Sequence, residues 1–195
     1  YFSKSVENVL FLHGFASTIP NDKTKKLSCL LGNVSITTPL VKGINRIYCD
    51  GMQKYEEVYE QIEMLIESAD LCNTIIVCSS ISSLLLCDHF PKLLEVKGLI
   101  FVTPIFKLSA NAFDDNLRKV VLYGLDDKSF SFSSPYYNNC KMSKEFLEKL
   151  KSLDLLENLR NFKNIKNKAH FIFAKDDSNI EAGLWRDKCL EENIP

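Results

Sequence analysis

The sequence predicts the α/β class, a mostly parallel sheet flanked by helices, and three observations predict it. Short apolar runs recur at residues 8–12 (NVLFL), 74–78 (TIIVC), 97–103 and 169–174. Strands buried on both faces read in this unbroken way, because neither face meets water. Stretches of helical period separate them, as the crossovers of a parallel sheet require. The length of 195 residues supplies one substantial core and is short for two, so a single domain spanning 1–195 is expected.

Along the chain, residues 8–15 (NVLFLHGF) form an apolar run closed by His13-Gly14, a buried strand entering a loop. A helix is expected over 22–31. Residues 33–40 alternate and are rich in Val, Ile and Thr, as a strand should be, and 44–49 is a candidate for another short strand. Over 53–69, Tyr55, Val58, Tyr59, Ile62, Leu65 and Ile66 fall on one helical face, with glutamates opposite. After the strand at 74–78 comes a helix at 81–90, then a strand at 97–103 ended by Pro104.

From about 105 to 166 the pattern breaks. An aromatic, polar insertion (Phe113, Tyr123, Phe130, Phe132, Tyr136, Tyr137) is followed by a helix near 143–153, which continues to about 159. This stretch is read as a small cap over the sheet. The strand at 169–174 resumes the main pattern, and Ile180, Leu184, Trp185 and Cys189 mark one face of a last helix.

Lys+Arg 24 against Asp+Glu 25 leaves a net charge of −1, which offers no basic field for nucleic acid or an anionic membrane. No apolar run approaches the ~20 residues of a membrane span. Seven cysteines are scattered without a C-x-x-C pair, which fits free thiols in a reducing, cytoplasmic setting. Neither G-x-G-x-x-G nor a P-loop run occurs, and the His, Cys and acidic residues do not cluster at ligand spacings; no nucleotide cofactor and no metal are expected.

The chemistry points to residues 75–84, IIVCSSISSL. A nucleophile set on a sharp strand-to-helix turn needs small residues two before and two after it, so that neighbouring backbones can approach. With Ser80 at the apex the flanks are Cys78 and Ser82. With Ser79, Ser82 or Ser83 there, a Val, Ile or Leu falls on a flank. Only Ser80 fits; the alternative is a serine-rich junction that merely caps the next helix.

On these residues the chain resembles the α/β-hydrolase family, whose elbow is usually G-x-S-x-G. It departs from that pattern in lacking both glycines. The resemblance extends to Leu12-His13-Gly14-Phe15, which looks like the family's H-G-F loop, and to residues 169–177, AHFIFAKDD, which look like the strand that ends in the triad acid. It implies an acyl-enzyme mechanism on a carboxylic ester or thioester, with Ser80 as nucleophile and Asp177 as acid, Asp176 lying one residue out of register. The backbone N–H groups of Phe15 and Ile81 would form the oxyanion hole, and His13 and Gly14 its loop, with His13 ordering the loop rather than acting as base. For 169–177 the alternative is a surface turn with two solvated aspartates.

A serine nucleophile needs a histidine, which the family places after the acid. No histidine follows Asp177. Two expectations remain open: a last strand and its histidine lie beyond Pro195, or the chain is a hydrolase-like module without its base. The aromatic insertion points to a small apolar acyl ester as the substrate.

Overall fold

The computed structural model describes residues 6–14, 22–41, 51–108, 123–126, 129–134, 137–174 and 182–194. Phe15, Asp176 and Asp177 lie outside them, as does the candidate strand at 44–49.

Five parallel strands form the main sheet: β1 (Asn8–Leu12), β2 (Ser35–Thr37), β4 (Thr74–Ser79), β5 (Gly98–Val102) and β9 (Ala169–Ile172). Their order is β2-β1-β4-β5-β9. From β1 the chain moves outward to β2 through α1 (Asp22–Leu31), then returns past β1 to β4 through α2 (Tyr55–Glu67). Right-handed crossovers in opposite directions must use opposite faces. Accordingly Leu27 of α1 packs with Val9, Phe11 and Val77 on one face, whereas Val58, Ile62 and Ile66 of α2 pack with Leu10, Leu12 and Ile76 on the other.

The helix expected at 53–69 is α2, with Glu56 and Glu57 in its first turn, where negative charge suits the helix dipole. The helix expected over 81–90 is split. The α-helical part, α3, is Ser82–Leu85, and Cys87–Lys92 continues as a 3-10 turn with Pro91 inside it. Proline lacks the N–H that an α-helix needs and disfavours the α conformation in the residue before it. Similarly, the strand expected at 33–40 shortens to Ser35–Thr37, since Pro39 has no N–H to give a ladder.

A second sheet runs in the order β3-β8-β7-β6, from β3 (Gly51–Gln53), β6 (Tyr123–Asp126), β7 (Ser129–Ser134) and β8 (Tyr137–Ser143). The Ser/Phe alternation of SFSFSS in β7 carries the strand period; it was hidden in a stretch expected to be irregular. Three helices follow: α4 (Lys144–Ser152), α5 (Leu155–Asn161) and α6 (Lys163–Lys166). Ser143 caps α4 by accepting from the Phe146 N–H, and Asp154 caps α5 by accepting from the Glu157 N–H. Leu150, Leu155, Leu159 and Ile165 of these helices are fully buried in the main core.

The last helix, α7 (Ala182–Glu191), presents part of the expected face, with Trp185 packed against the core. Cys189 is buried, but Leu184 is 47% exposed. It closes at Asn193, whose φ of 52° lets the Ile194 N–H reach the Cys189 carbonyl. Among the described residues no helix is long and apolar enough to cross a membrane.

Candidate active site

The direction of chain progression reverses between β1 and β4, so their connections leave the carboxyl ends of these strands on opposite faces. A crevice between adjacent carboxyl ends at such a switch point is where open α/β sheets bind ligands. His13 and Gly14 follow β1 there, and Ser80 follows β4. Ser80 has φ 57°, one of few non-glycine residues with positive φ in the described chain. That conformation costs an L-residue on the order of 1 kcal/mol, and surrounding bonds hold it. The Ser80 N–H donates to the Val102 carbonyl of β5, and its carbonyl accepts from the Ser83 N–H. The Ser83 hydroxyl lies 2.6 Å from the same carbonyl and 2.9 Å from that of Ile105, and accepts the Ile105 N–H. Ser80 is thus the apex of a sharp strand-to-helix turn, in the register read from the small flanks Cys78 and Ser82.

Both flanks are buried. Burial holds the Cys78 thiol well above its ordinary pKa, so it packs as a small apolar group. Gly14 meets the elbow directly: a Cβ there would lie 3.0 Å from the Ser80 Cβ and 3.3 Å from the Ser79 carbonyl oxygen. Ile81 starts the following helix at φ −60° and ψ −26°, and among the described residues its N–H donates to no backbone carbonyl.

A second strained residue stands beside the first. Thr103, immediately after β5, has φ 44°, which a β-branched side chain rarely tolerates. Its N–H is tied to the Ile172 carbonyl of β9 at 2.7 Å. Strain gathered at the carboxyl ends of adjacent strands is a mark of functional geometry. Beyond Thr103, Phe106 stacks on Trp185 at 4.7 Å, on Phe171 at 5.4 Å and on Phe173 at 6.1 Å, which makes an aromatic stack from the ends of β5 and β9 and from α7.

The three histidines are all described. His13 is buried, with Nδ1 3.3 Å from the Gly14 carbonyl and Nε2 3.2 Å from the Pro39 carbonyl. A neutral ring donates to only one of these; either way it braces the loop. His170 is exposed on β9, in register with Ile100. His89 is fully buried, stacked on Tyr59 at 4.2 Å, and neither ring nitrogen has a hydrogen-bond partner. Pro39, as the partner of His13, carried no signal in the sequence. Among the described residues no cluster of three or more His, Cys, Asp or Glu is set to hold a metal ion.

His89 gives the fold a pH dependence. Burial lowers its pKa to about 4, with the Lys92 cation adding to the effect and the Glu63 and Asp88 carboxylates partly opposing it. The unfolded chain therefore binds the proton first, near pH 6.5, while the native state resists it until about pH 4. Stability is full above the unfolded value and falls as the pH drops through this window, by on the order of 2 kcal/mol. His89→Leu should remove that loss. Urea unfolding at about pH 7 and about pH 4.5 reads it, and an equal acid-side loss in the variant would refute the assignment.

No family model matches the chain, and no curated protein does. Solved structures do. The chain is similar to tomato methylketone synthase I, at 10% identity and a TM-score of 0.64 over 97% of this chain and 86% of that one. It is similar to the esterase domain of a Rhodothermus marinus protein, at 16% identity and a TM-score of 0.61 over 99% of this chain and 74% of that one. A soluble variant of the monoglyceride lipase from Saccharomyces cerevisiae gives 12% identity and a TM-score of 0.54 over 99% and 88%. With a five-stranded parallel sheet, helices on both faces and a strained serine at its switch point, this chain has the α/β-hydrolase fold.

Proposed function

We propose that the protein is a serine hydrolase of carboxylic esters or thioesters. The observation that carries this reading is the positive φ of Ser80 at the end of β4, against Gly14 at the end of β1. The Ser80 hydroxyl oxygen attacks the acyl carbon and its proton passes to a histidine, which Asp177 orients. The amides of Phe15 and Ile81 donate to the oxygen that becomes negative, and His13-Gly14 carries the first of them. Preorganised donors of this kind stabilise the tetrahedral intermediate where charge develops. The alcohol or thiol leaves with the proton, and water cleaves the acyl-enzyme by the same route.

Methylketone synthase, esterase and lipase neighbours share the fold, which by itself names no reaction. The aromatic stack of Phe106, Phe171, Phe173 and Trp185 supports an apolar acyl or alcohol group, and the insertion at 105–166 is proposed to cap it.

A second reading is a catalytically silent module that binds a small molecule or a protein in the same cleft. One observation favours it: His13, His89 and His170 are engaged with carbonyls, buried in a ring stack or exposed on β9, so the proton acceptor is none of these three. The protein expressed from its native gene should react with a fluorophosphonate, and peptide mass mapping should place the adduct on Ser80. Failure to label, with the fold intact, would leave the silent module as the better reading.

A further inference from the structure

The position two residues after the nucleophile needs only to be small, and glycine or alanine would meet that need. This chain has a serine there, and its hydroxyl is used. Ser82 is fully buried, at 0% exposure, and donates to the His13 carbonyl at 2.5 Å across 69 residues of sequence. With Leu12, His13, Pro39, Val41 and Ile62 it lines one small pocket. The His13 ring reaches the Pro39 carbonyl. His13 is therefore held through both its carbonyl and its ring, and Gly14, next in line, lies so close to the elbow that an added Cβ would meet the Ser80 Cβ at 3.0 Å.

We infer that Ser82 is a positioning residue: its hydroxyl, which a glycine would lack, latches His13–Gly14 to the elbow and fixes the spacing between that loop and Ser80. The catalytic half of this inference rests on the hydrolase reading above; the latch itself does not. Ser82 is fully buried, so removing the hydroxyl takes away the donor that the His13 carbonyl has here and leaves the loop freer to shift. A shift of the loop by a fraction of an ångström mis-sets a transition-state contact without much altering ground-state binding.

Ser82→Ala and Ser82→Gly, in the protein expressed from its native gene, test it, the second variant standing in should the first not fold. Both should lower kcat and the fluorophosphonate labelling rate by about tenfold with KM nearly unchanged. Hydrogen exchange over residues 8–14 should quicken in both, while residues 144–161 stay at the parental rate. Ser83→Ala, which leaves the Ser82–His13 bond in place, should not change exchange over 8–14. Unchanged exchange there in the Ser82 variants would overturn the latch. Faster exchange with parental kcat would overturn its catalytic role. Absence of labelling in the parent would overturn the hydrolase reading, and the exchange result would still decide the latch.

Discussion

Ser80→Ala is expected to abolish fluorophosphonate labelling and to lower ester turnover by on the order of 10⁴- to 10⁶-fold, the loss typical when a serine nucleophile is removed from an intact site. The substitution keeps a Cβ at φ 57° and changes no backbone bond, so the urea midpoint should barely move. That separation of activity from stability gives the test its force. Persistent labelling would mean that another serine reacts, and mass mapping would name it. Ser79 and Ser83 are the neighbours to check, although Val77, Ile81 and Leu85 crowd their flanks.

The second large effect is expected at Gly14→Ala. The new Cβ would meet the Ser80 Cβ at 3.0 Å and the Ser79 carbonyl oxygen at 3.3 Å. Neither neighbour is the loose end of a long side chain; both belong to a turn already held by Val102, Ser83 and Ile105. Relief must come from the loop, which is tied through the His13 carbonyl to Ser82. Turnover should fall by about a hundredfold or more, since a displaced oxyanion donor costs 10²–10³, and stability by about 1–3 kcal/mol from overpacking. Labelling rate and urea midpoint together read both. A variant that labels at the parental rate would show that the loop does not frame the nucleophile.

The elements legible in the sequence were those whose burial writes a period. The helix expected at 53–69 and the strand expected at 74–78 were recoverable because one helical stripe and one apolar run face a core. Ser80 was legible for a different reason: the turn's crowding excludes large flanks, and only one serine register satisfies that. What composition did not show was what the small residues do beyond being small. The bonds of Ser82 to His13 and of Ser83 to Ile105 join segments far apart in sequence, and no local pattern encodes them. The change from α to 3-10 geometry after Leu85 left no mark in the apolar run that ends before Pro91. The exposure of Leu184 depends on how α7 is rotated against Phe106, which periodicity alone does not fix.

The strand order β2-β1-β4-β5-β9 also has a consequence in time. β1 and β4, which hold the two halves of the site, are neighbours in space but are separated along the chain by α1, β2, β3 and α2. Contacts of this kind form only after long loops close, and parallel sheets rich in them fold slowly. The strained conformation at Ser80 is supported by Val102 of β5, and β5 in turn is completed by β9, which enters late in the sequence. The conformation at Ser80 is therefore fully supported only once β5 has paired, and β5 gains its outer neighbour only when β9 joins the sheet.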